Sequence, residues 1–207
     1  MPMPDALRRR GFHVIYTCMK RCPWSEHPEL VQYHDTEWGV PVHDDRTQFE
    51  FLVLESAQAG LSWLTIIRKR AGYRKAFSDF RAEKVALYDE KKIEELMADA
   101  GIIRNRKKIE AAVKNARHFL EVQEEFGSFS SYLWGFTGGK PIVGGWKIQE
   151  EVPAKSALSE TISKDLKKRG FSFLGPVIMY SHLQAAGIIN DHITSCFRYG
   201  EICGMYS

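Results

Sequence analysis

The chain has 207 residues, of which 44% are apolar and 27% are charged, an ordinary globular composition. This balance excludes a wholly disordered chain, and no run reaches the roughly 18 consecutive apolar residues that a membrane crossing needs. The net charge of +3 is too small to indicate a partner by itself. The length fits one domain, or two small lobes that share a core.

Residues 1–21 carry no convincing secretion signal. Their short apolar run contains His13 and ends in Lys20 and Arg21 instead of small residues. We therefore predict a cytoplasmic protein, with reduced cysteines and no membrane contact. We treat 1–21 as an N-terminal extension without an assigned role and 22–207 as the functional domain.

The remaining chain predicts an all-α fold with many helices of modest length. Apolar residues recur at helical spacing from Thr47 to Lys69. Further helices are predicted, in chain order, over 82–89, 90–101, 104–127, 130–136, 156–170 and 175–192. Ser156 is available to cap the helix that follows it. The glycine-rich segment 137–146 predicts a loop.

Cysteine and histidine residues occur in pairs near both ends: Cys22 with His34, and His192 with Cys196. If 190–196 is helical, the second pair leaves from one face. Four such ligands could hold one zinc ion in a tetrahedron, which leaves no open position for chemistry. Simple packing of each pair stays open, and Cys18, His27 and Cys203 remain possible substitute ligands.

Glu55 lies in the middle of an apolar helical segment, where a carboxylate is costly unless it is bonded. It either binds a backbone amide or an arginine, or accepts hydrogen bonds from a ligand in an apolar pocket. The aromatic residues near this helix in sequence offer flat walls on which a heteroaromatic base can stack, although each could also be simple core: Trp24, Tyr33, Trp38 and Trp63.

A glycine at 101 is followed by four cations at the start of the next helix: Arg104, Arg106, Lys107 and Lys108. Helix starts favour acidic residues, so this clustering opposes the helix dipole and indicates an anionic partner such as phosphate. The basic segments 68–75 and 164–170 are typical of solvated faces.

Five blocks of the sequence together resemble the 3-methyladenine DNA glycosylase I (TAG) family: CPWSEHPELVQYHDTEWGVP, LESAQAGLSWLTIIRKR, AGIIRNRKKIEA, LKKRGFSFLGP and NDHITSCF. They occur in the family's order and span about 21–197. The resemblance implies a helical fold of the helix-hairpin-helix DNA glycosylase superfamily. It also implies one structural zinc that joins the two ends of the chain.

The resemblance assigns roles to residues at matching motif positions. The zinc ligands fall on Cys22, His34, His192 and Cys196. The base-recognising carboxylate falls on Glu55, and the pocket aromatics fall on Tyr33, Trp63, Trp24 and Trp38. The DNA-gripping hairpin falls on the turn from Gly101 to Lys108, with its cations Arg104, Arg106 and Lys107. A loop that fills the space of the flipped base falls on Gly60 and Leu61.

The implied activity is hydrolysis of the N-glycosidic bond of N3-methyladenine in double-stranded alkylated DNA, with free 3-methyladenine as product and a monomer sufficient for the reaction. An ionised Glu55 would attract the cationic base. The sequence departs from the family pattern in three places. The first 20 or so residues have no counterpart in the shortest members, and the Cys22–His34 spacing is shorter by one than in some members. The hairpin has one glycine where many hairpins of the superfamily have two. The superfamily's catalytic aspartate has no counterpart here, which fits a base whose bond methylation has already weakened.

Two other functions stay open from the sequence. A zinc-stabilised protein could bind damaged DNA without cutting it, although the intact set of Glu55, Tyr33 and Trp63 favours an enzyme. A zinc hydrolase would need one of the four ligands to be replaced by water.

Overall fold

The structure is a computed structural model that describes residues 19–206. Cys18 and most of the predicted extension lie outside these residues. The described part contains ten α-helices and one two-stranded sheet. The helices are α1 Pro28–Thr36, α2 Asp45–Gln58, α3 Trp63–Ala76, α4 Ala82–Val85, α5 Glu90–Ala98, α6 Arg106–Phe126, α7 Phe129–Gly135, α8 Ala157–Lys168, α9 Pro176–Ala185 and α10 Phe197–Gly204.

The sheet consists of β1, Ile142–Val143, and β2, Ile189–Asn190, which pair in parallel. With two residues in each strand, this sheet ties two loops together and adds little to a helical architecture. Within 19–206, no helix combines the length and the apolar character needed to cross a membrane.

Polar side chains start most of the longer helices. Each accepts a hydrogen bond from a backbone N–H three residues later, which satisfies one of the free donors of the first turn. The capping residues are Asp44, Ser62, Asp89, Asn105, Ser128 and Ser156. The prediction for Ser156 is confirmed.

Helix α2 lies at the centre of the fold, packed against α3, α6, α7 and α9. Every residue from 48 to 57 is buried, so this part of the helix has no solvent face. A helix in this position brings whatever polar groups it carries into the interior. Glu50 and Glu55 are therefore both buried carboxylates.

The periodic segment from Thr47 to Lys69 forms two helices and not one. The chain turns between α2 and α3, where Gly60 has a φ of +80° that other residues adopt only with strain. The N–H of Leu61 donates to the carbonyl of Gln58 at 2.6 Å and closes this turn. Gly60 and Leu61 are exposed at its tip.

The predicted helix over 175–192 ends early, at Ala185. Gly187 has a φ of +69°, and a Cβ there would lie 2.6 Å from the carbonyl oxygen of Gly39, so the backbones touch. The chain then forms β2 and a turn in which Cys196 N–H donates to Ile193 O at 2.8 Å. The helical placement of His192 and Cys196 is therefore wrong; a loop and a turn bring them together.

Candidate functional site

A cavity of about 240 Å³ opens beside the C-terminal half of α2. It is lined by all five residues that the sequence analysis assigned to a base pocket: Trp24, Tyr33, Trp38, Glu55 and Trp63. Four polar residues complete the lining: Gln58, Gln149, Ser181 and Gln184. The cavity therefore has aromatic walls and several hydrogen-bonding groups, which is the composition of a small-molecule site.

The aromatic rings of the cavity contact one another. The ring centroids of Tyr33 and Trp63 are 5.4 Å apart, and those of Trp24 and Trp38 are 5.0 Å apart with an edge-to-face angle of 73°. Trp24 also lies 6.3 Å from Tyr33. Mutual packing of this kind holds the rings in place before a ligand binds.

Glu55 has no hydrogen bond or ion pair with any residue of 19–206, so the alternative that it binds a backbone amide or an arginine is not what the structure contains. Its side chain is almost fully buried. Loss of water around the carboxylate raises its pKa to about 8. In the free pocket burial therefore favours the protonated form of this group, and a positive charge beside it would lower its pKa again.

Three other buried polar atoms around the cavity lack partners within the described chain: the Tyr33 hydroxyl, Trp63 Nε1 and Gln149 Oε1. Buried polar atoms are nearly always bonded, and leaving one unbonded costs about 1–3 kcal/mol. Two of these atoms can donate and one accepts. Together with Glu55 they form a set that a polar, planar ligand would satisfy.

The sequence analysis missed the four additional polar lining residues. Gln184 is the best defined, since its Nε2 donates to Asp191 Oδ2 at 2.8 Å. Because a carboxylate only accepts, this bond leaves the amide oxygen of Gln184 free. A sequence signal existed: Ser181 and Gln184 lie three residues apart, on one face of an otherwise apolar helix.

Cys22, His34, His192 and Cys196 come together as one buried cluster. Their candidate ligand atoms all lie within 4.8 Å of one another. Cys196 Sγ is 3.5 Å from His34 Nε2, and both thiol sulfurs are 3.6 Å from His192 Nδ1. Standard zinc bond lengths in a tetrahedron place such atoms about 3.6 Å apart, so the cluster fits zinc.

Hydrogen bonds fix the two imidazole rings in the orientation that a metal requires. Nδ1 of His34 donates to Asp35 at 2.8 Å, and Asp35 is held in turn by Arg21 at 2.8 Å. Nε2 of His192 donates to the carbonyl of Trp38 at 3.1 Å. In each ring the other nitrogen then faces the cluster, as in known zinc sites.

The two thiols favour a cation between them. Their hydrogen bond raises the pKa of Cys22 and lowers that of Cys196, because the pair without a cation accommodates a single negative charge. A divalent metal would allow both to ionise. Four buried ligands leave no position for water, which argues against a hydrolytic zinc.

The alternative ligands are placed elsewhere. His27 accepts from the N–H of Glu29 at 3.2 Å and caps α1. Cys203 accepts a hydrogen bond from Asn190 at 3.5 Å, in α10. Cys18 lies outside the described residues.

The cluster and the cavity share two walls. The Trp38 ring lies 4.5 Å from the His192 ring, and the Trp24 ring lies 5.4 Å from the His34 ring. Both tryptophans also line the cavity. Displacement of the cluster would therefore move the pocket.

Comparison with known proteins identifies the relatives of this arrangement. The sequence model of the family described as methyladenine glycosylase matches residues 24–199. The chain belongs to the methyladenine glycosylase family. The resemblance seen in the sequence is thus confirmed.

Two relatives in the family are similar to this chain over nearly their whole length. DNA-3-methyladenine glycosylase 1 of Escherichia coli (strain K12) is 44% identical over 182 residues, which cover 87% of this chain and 97% of that protein. DNA-3-methyladenine glycosylase of Haemophilus influenzae (strain ATCC 51907 / DSM 11121 / KW20 / Rd) is 42% identical over 177 residues, or 85% and 96% of the two chains.

Solved structures of the family share the fold. 3-Methyladenine DNA glycosylase I from Staphylococcus aureus superposes with a TM-score of 0.83 at 40% identity, covering 86% of this chain and 96% of that one. A tyrosine-to-phenylalanine variant of 3-methyladenine DNA glycosylase I in complex with 3-methyladenine gives 0.81 at 41% identity, covering 83% and 92%. The helical fold class of this family is therefore confirmed.

The turn between α5 and α6 contains the remaining residues of the family resemblance. Gly101 approaches α3 closely, and its N–H donates to Asp99 at 2.7 Å. Lys69 Nζ donates to the carbonyl of Ala100 at 2.7 Å, and Ile103 N–H donates to the Tyr73 hydroxyl at 3.2 Å. The turn is thus fixed on the body of the protein.

The four cations after this turn divide into two groups. Arg106 pairs with Glu90, Glu94 and Glu110, and Lys108 Nζ donates to the carbonyls of Ala57 and Ala59 at 2.8 and 2.6 Å. These two side chains are engaged within the protein. Arg104 and Lys107 are exposed and have no bonded partner in the described chain. Of these four side chains, only Arg104 and Lys107 therefore have a charge that is free to bind a partner.

Proposed function

We propose that this protein is a DNA repair glycosylase that excises N3-methyladenine from alkylated double-stranded DNA. The damaged nucleotide would flip into the cavity, hydrolysis of the N-glycosidic bond would release 3-methyladenine, and an abasic site would remain. The observation that carries the proposal is the buried, partnerless carboxyl group of Glu55 in an aromatic cavity. The named activities of the relatives support it.

Recognition would use charge and shape together. N3-methylation gives the base in DNA a positive charge, so the base can replace the proton on Glu55 and pair with the resulting carboxylate. The rings of Tyr33 and Trp63 would stack on the cationic base, and Trp24 and Trp38 would wall the site. Neutral bases would lack the charge that makes this exchange favourable.

Catalysis would come chiefly from flipping and selecting the base. Methylation already weakens the glycosidic bond, so departure of the base needs less assistance than departure of an unmodified purine. Water would attack the sugar carbon as the base leaves, while Glu55 stabilises the departing edge electrostatically. This accounts for the absence of the superfamily's catalytic aspartate.

The cluster of Cys22, His34, His192 and Cys196 is proposed to hold one structural zinc ion. Bound there, zinc would supply a crosslink between the start and the end of the domain and take no part in the reaction. The adjacent tryptophans would keep their positions because the cluster is fixed.

DNA would be held by the segment from α5 to α6, acting as a helix-hairpin-helix element. The exposed Arg104 and Lys107, with the backbone amides near Gly101, would contact phosphates, and binding would weaken with salt. The engaged Arg106 and Lys108 would instead shape the turn. Gly60 and Leu61 would enter the space that the flipped base leaves. One protomer contains all of these parts, so we propose a monomer.

The test is incubation of the protein with methylated duplex DNA, followed by chromatographic detection of free 3-methyladenine. Release above the spontaneous rate is expected. Glu55→Ala should lose most of this release while its circular dichroism spectrum stays normal. Near-normal release by that variant would refute the role of Glu55. Binding of the lesion without any release by the unaltered protein would indicate a non-enzymatic reader.

A further inference from the structure

A surface patch that begins at Lys107, just after the turn between α5 and α6, includes two exposed residues without a role so far, Lys114 and Phe173. The exposed residues Lys107 and Lys114 of α6 and Phe173 of the loop before α9 line a surface depression of about 260 Å³, together with Glu110, Ala111 and Ser172. We call Lys107, Lys114 and Phe173 the Phe173 patch.

The backbone of Phe173 is held in an unusual conformation. Its φ is +58°, a region that residues other than glycine and asparagine rarely adopt. Asn115 binds both backbone groups of the preceding Ser172 at 2.9 Å, and Ser163 Oγ donates to the following Leu174 carbonyl at 2.7 Å. The loop is thus clamped on both sides of the strained residue, and strain of this kind concentrates at functional positions.

The clamp presents the ring to solvent. Phe171 and Leu174 are buried, at 5% and 6% exposure, whereas Phe173 between them is 40% exposed. Phe173 is not among the residues that pack against the core, and it contacts no other aromatic ring of the described chain. Burial therefore does not account for a phenylalanine at a position where glycine would be free of strain.

The patch is positively charged. Lys107 and Lys114 lie two helical turns apart, on one face of α6, and neither bonds a residue of 19–206. The nearby Glu110 is engaged by Arg106 at 3.4 Å. An apolar ring in the same depression as free ammonium groups complements a nucleic acid, whose phosphates flank stacked bases.

The Phe173 patch is next in the chain to two proposed DNA-binding regions, the turn between α5 and α6 and the cavity. Lys107 is in the first turn of α6, directly after the turn between α5 and α6. Phe173 leads into α9, where Ser181 and Gln184 line the cavity. One turn before Ser181, Val177 is 52% exposed, and its backbone carbonyl accepts a hydrogen bond from the Ser181 hydroxyl at 3.3 Å.

We propose that the Phe173 patch is a further DNA contact, in which the Phe173 ring packs as an apolar wedge against a base step of the bent duplex. Lys107 and Lys114 contact phosphates on either side. Because the clamped loop fixes the ring beforehand, binding costs little ordering entropy. The assignment rests on the proposed function in that the duplex is the substrate of the same protein.

The experiment measures binding to a fluorescein-labelled duplex that contains a stable abasic-site analogue. Phe173→Gly should raise Kd about tenfold, the loss typical of one stacking contact. Its Tm should not fall, because glycine accepts the positive φ. Phe173→Trp, which keeps an aromatic ring, should bind the duplex with the affinity of the unaltered protein. Lys107→Gln and Lys114→Gln should each reduce the slope of log K against log salt by about 0.9.

Phe126→Ala is the matched control. Phe126 is equally exposed, at 40%, and lies at the other end of α6, about 30 Å along the helix from Lys107. It should bind the duplex like the unaltered protein. If Phe173→Gly lowers Tm, Phe173→Asn replaces it, since asparagine also tolerates this conformation.

The outcomes separate this inference from the proposed function. Normal duplex affinity of Phe173→Gly, or an equal loss in Phe126→Ala, overturns the patch even when 3-methyladenine is released normally. A Phe173-dependent affinity in a protein that releases no 3-methyladenine supports the patch and overturns the glycosylase. Tryptophan fluorescence measures the binding of free 3-methyladenine, and a loss of this binding in Phe173→Gly also overturns the patch.

Discussion

At the scale of single residues, two buried carboxylates on α2 are in opposite environments. Glu50 accepts from Arg70 at 2.7 Å and from Arg74 at 3.1 Å, so its charge is compensated. Glu55, five residues later, has no partner in the described chain, and its pKa is raised to about 8 by burial. A compensated charge contributes to the fold, whereas an uncompensated one reduces stability and is typical of a functional site.

The first prediction uses this contrast. The pKa of Glu55 is about 8 in the folded protein, and its ordinary value is 4.5. The contribution of this group to stability is therefore fully present below pH 4.5, and it is lost as the pH rises through 8. Glu55→Gln does not titrate, and it should gain stability relative to the unaltered protein over that range, by roughly 4 kcal/mol at pH 8. Urea unfolding at pH 5 and pH 8 measures the difference.

Glu50→Gln is the control on the same helix. It leaves Arg70 and Arg74 without a buried carboxylate and should lose about 2 kcal/mol at both pH values. A Glu55→Gln variant that is destabilised like Glu50→Gln would show that Glu55 has a structural partner.

The second prediction concerns the pH dependence of excision. Because the cationic base would pair with ionised Glu55 in the proposed mechanism, kcat/KM should rise about tenfold per pH unit below 8 and level off above it. Glu55→Gln should show low activity without this rise. A flat profile of the unaltered protein, after subtraction of spontaneous base loss, would contradict proton exchange at Glu55.

At the scale of elements, the turn after α5 depends on close contact between two backbones. A Cβ on Gly72 in α3 would lie 2.2 Å from the carbonyl oxygen of Gly101. Glycine at 72 therefore lets the turn lie directly on the helix. Lys69 and Tyr73, from the same helix, bond the turn on both sides of this contact.

The third prediction is that Gly72→Ala displaces the turn. Overlap with backbone cannot be relieved by a side-chain rotation, so the variant should lose about 1–3 kcal/mol and bind duplex DNA more weakly. Gly200→Ala, at a helical glycine with no atom within 4 Å of the added Cβ, should gain about 0.5–1 kcal/mol. Thermal unfolding and duplex binding of both variants test this. If Gly72→Ala and Gly200→Ala show the same stability and affinity, the close contact between Gly72 and Gly101 is not important.

At the scale of the whole molecule, the proposed metal cluster closes the domain. It joins Cys22 and His34 to His192 and Cys196, so a bound ion would restrict most of the unfolded chain. The same cluster contacts Trp24 and Trp38 of the cavity. Stability and pocket geometry are therefore coupled through one site.

The fourth prediction is that Cys196→Ser loses zinc and lowers Tm by more than about 10 °C. Cys203→Ser, which changes a cysteine outside the cluster, should keep one zinc per chain and a normal Tm. Metal content by plasma mass spectrometry and differential scanning calorimetry measure both. If the unaltered protein without zinc is as stable as the protein with zinc, the proposed structural metal is ruled out.

The sequence by itself predicted most of the helices between residues 47 and 185, the cap at Ser156 and the five residues Trp24, Tyr33, Trp38, Glu55 and Trp63 that line the cavity. Periodicity and capping are local properties, and the motif blocks carry the identities of the site residues. The sequence did not predict the end of α9 at Ala185 or the break in 47–69, because glycines at 60 and 187 act through turns that tertiary contacts select.

Only the tertiary structure decided which charges are free. Arg106 and Lys108 are engaged by carboxylates and carbonyls, while Glu55, amid apolar neighbours, keeps no partner in the described chain. Chain positions do not specify these pairings, since the partners are brought together by packing of distant elements. Burial then sets the pKa of Glu55, because the loss of water around a carboxylate depends on everything packed against it.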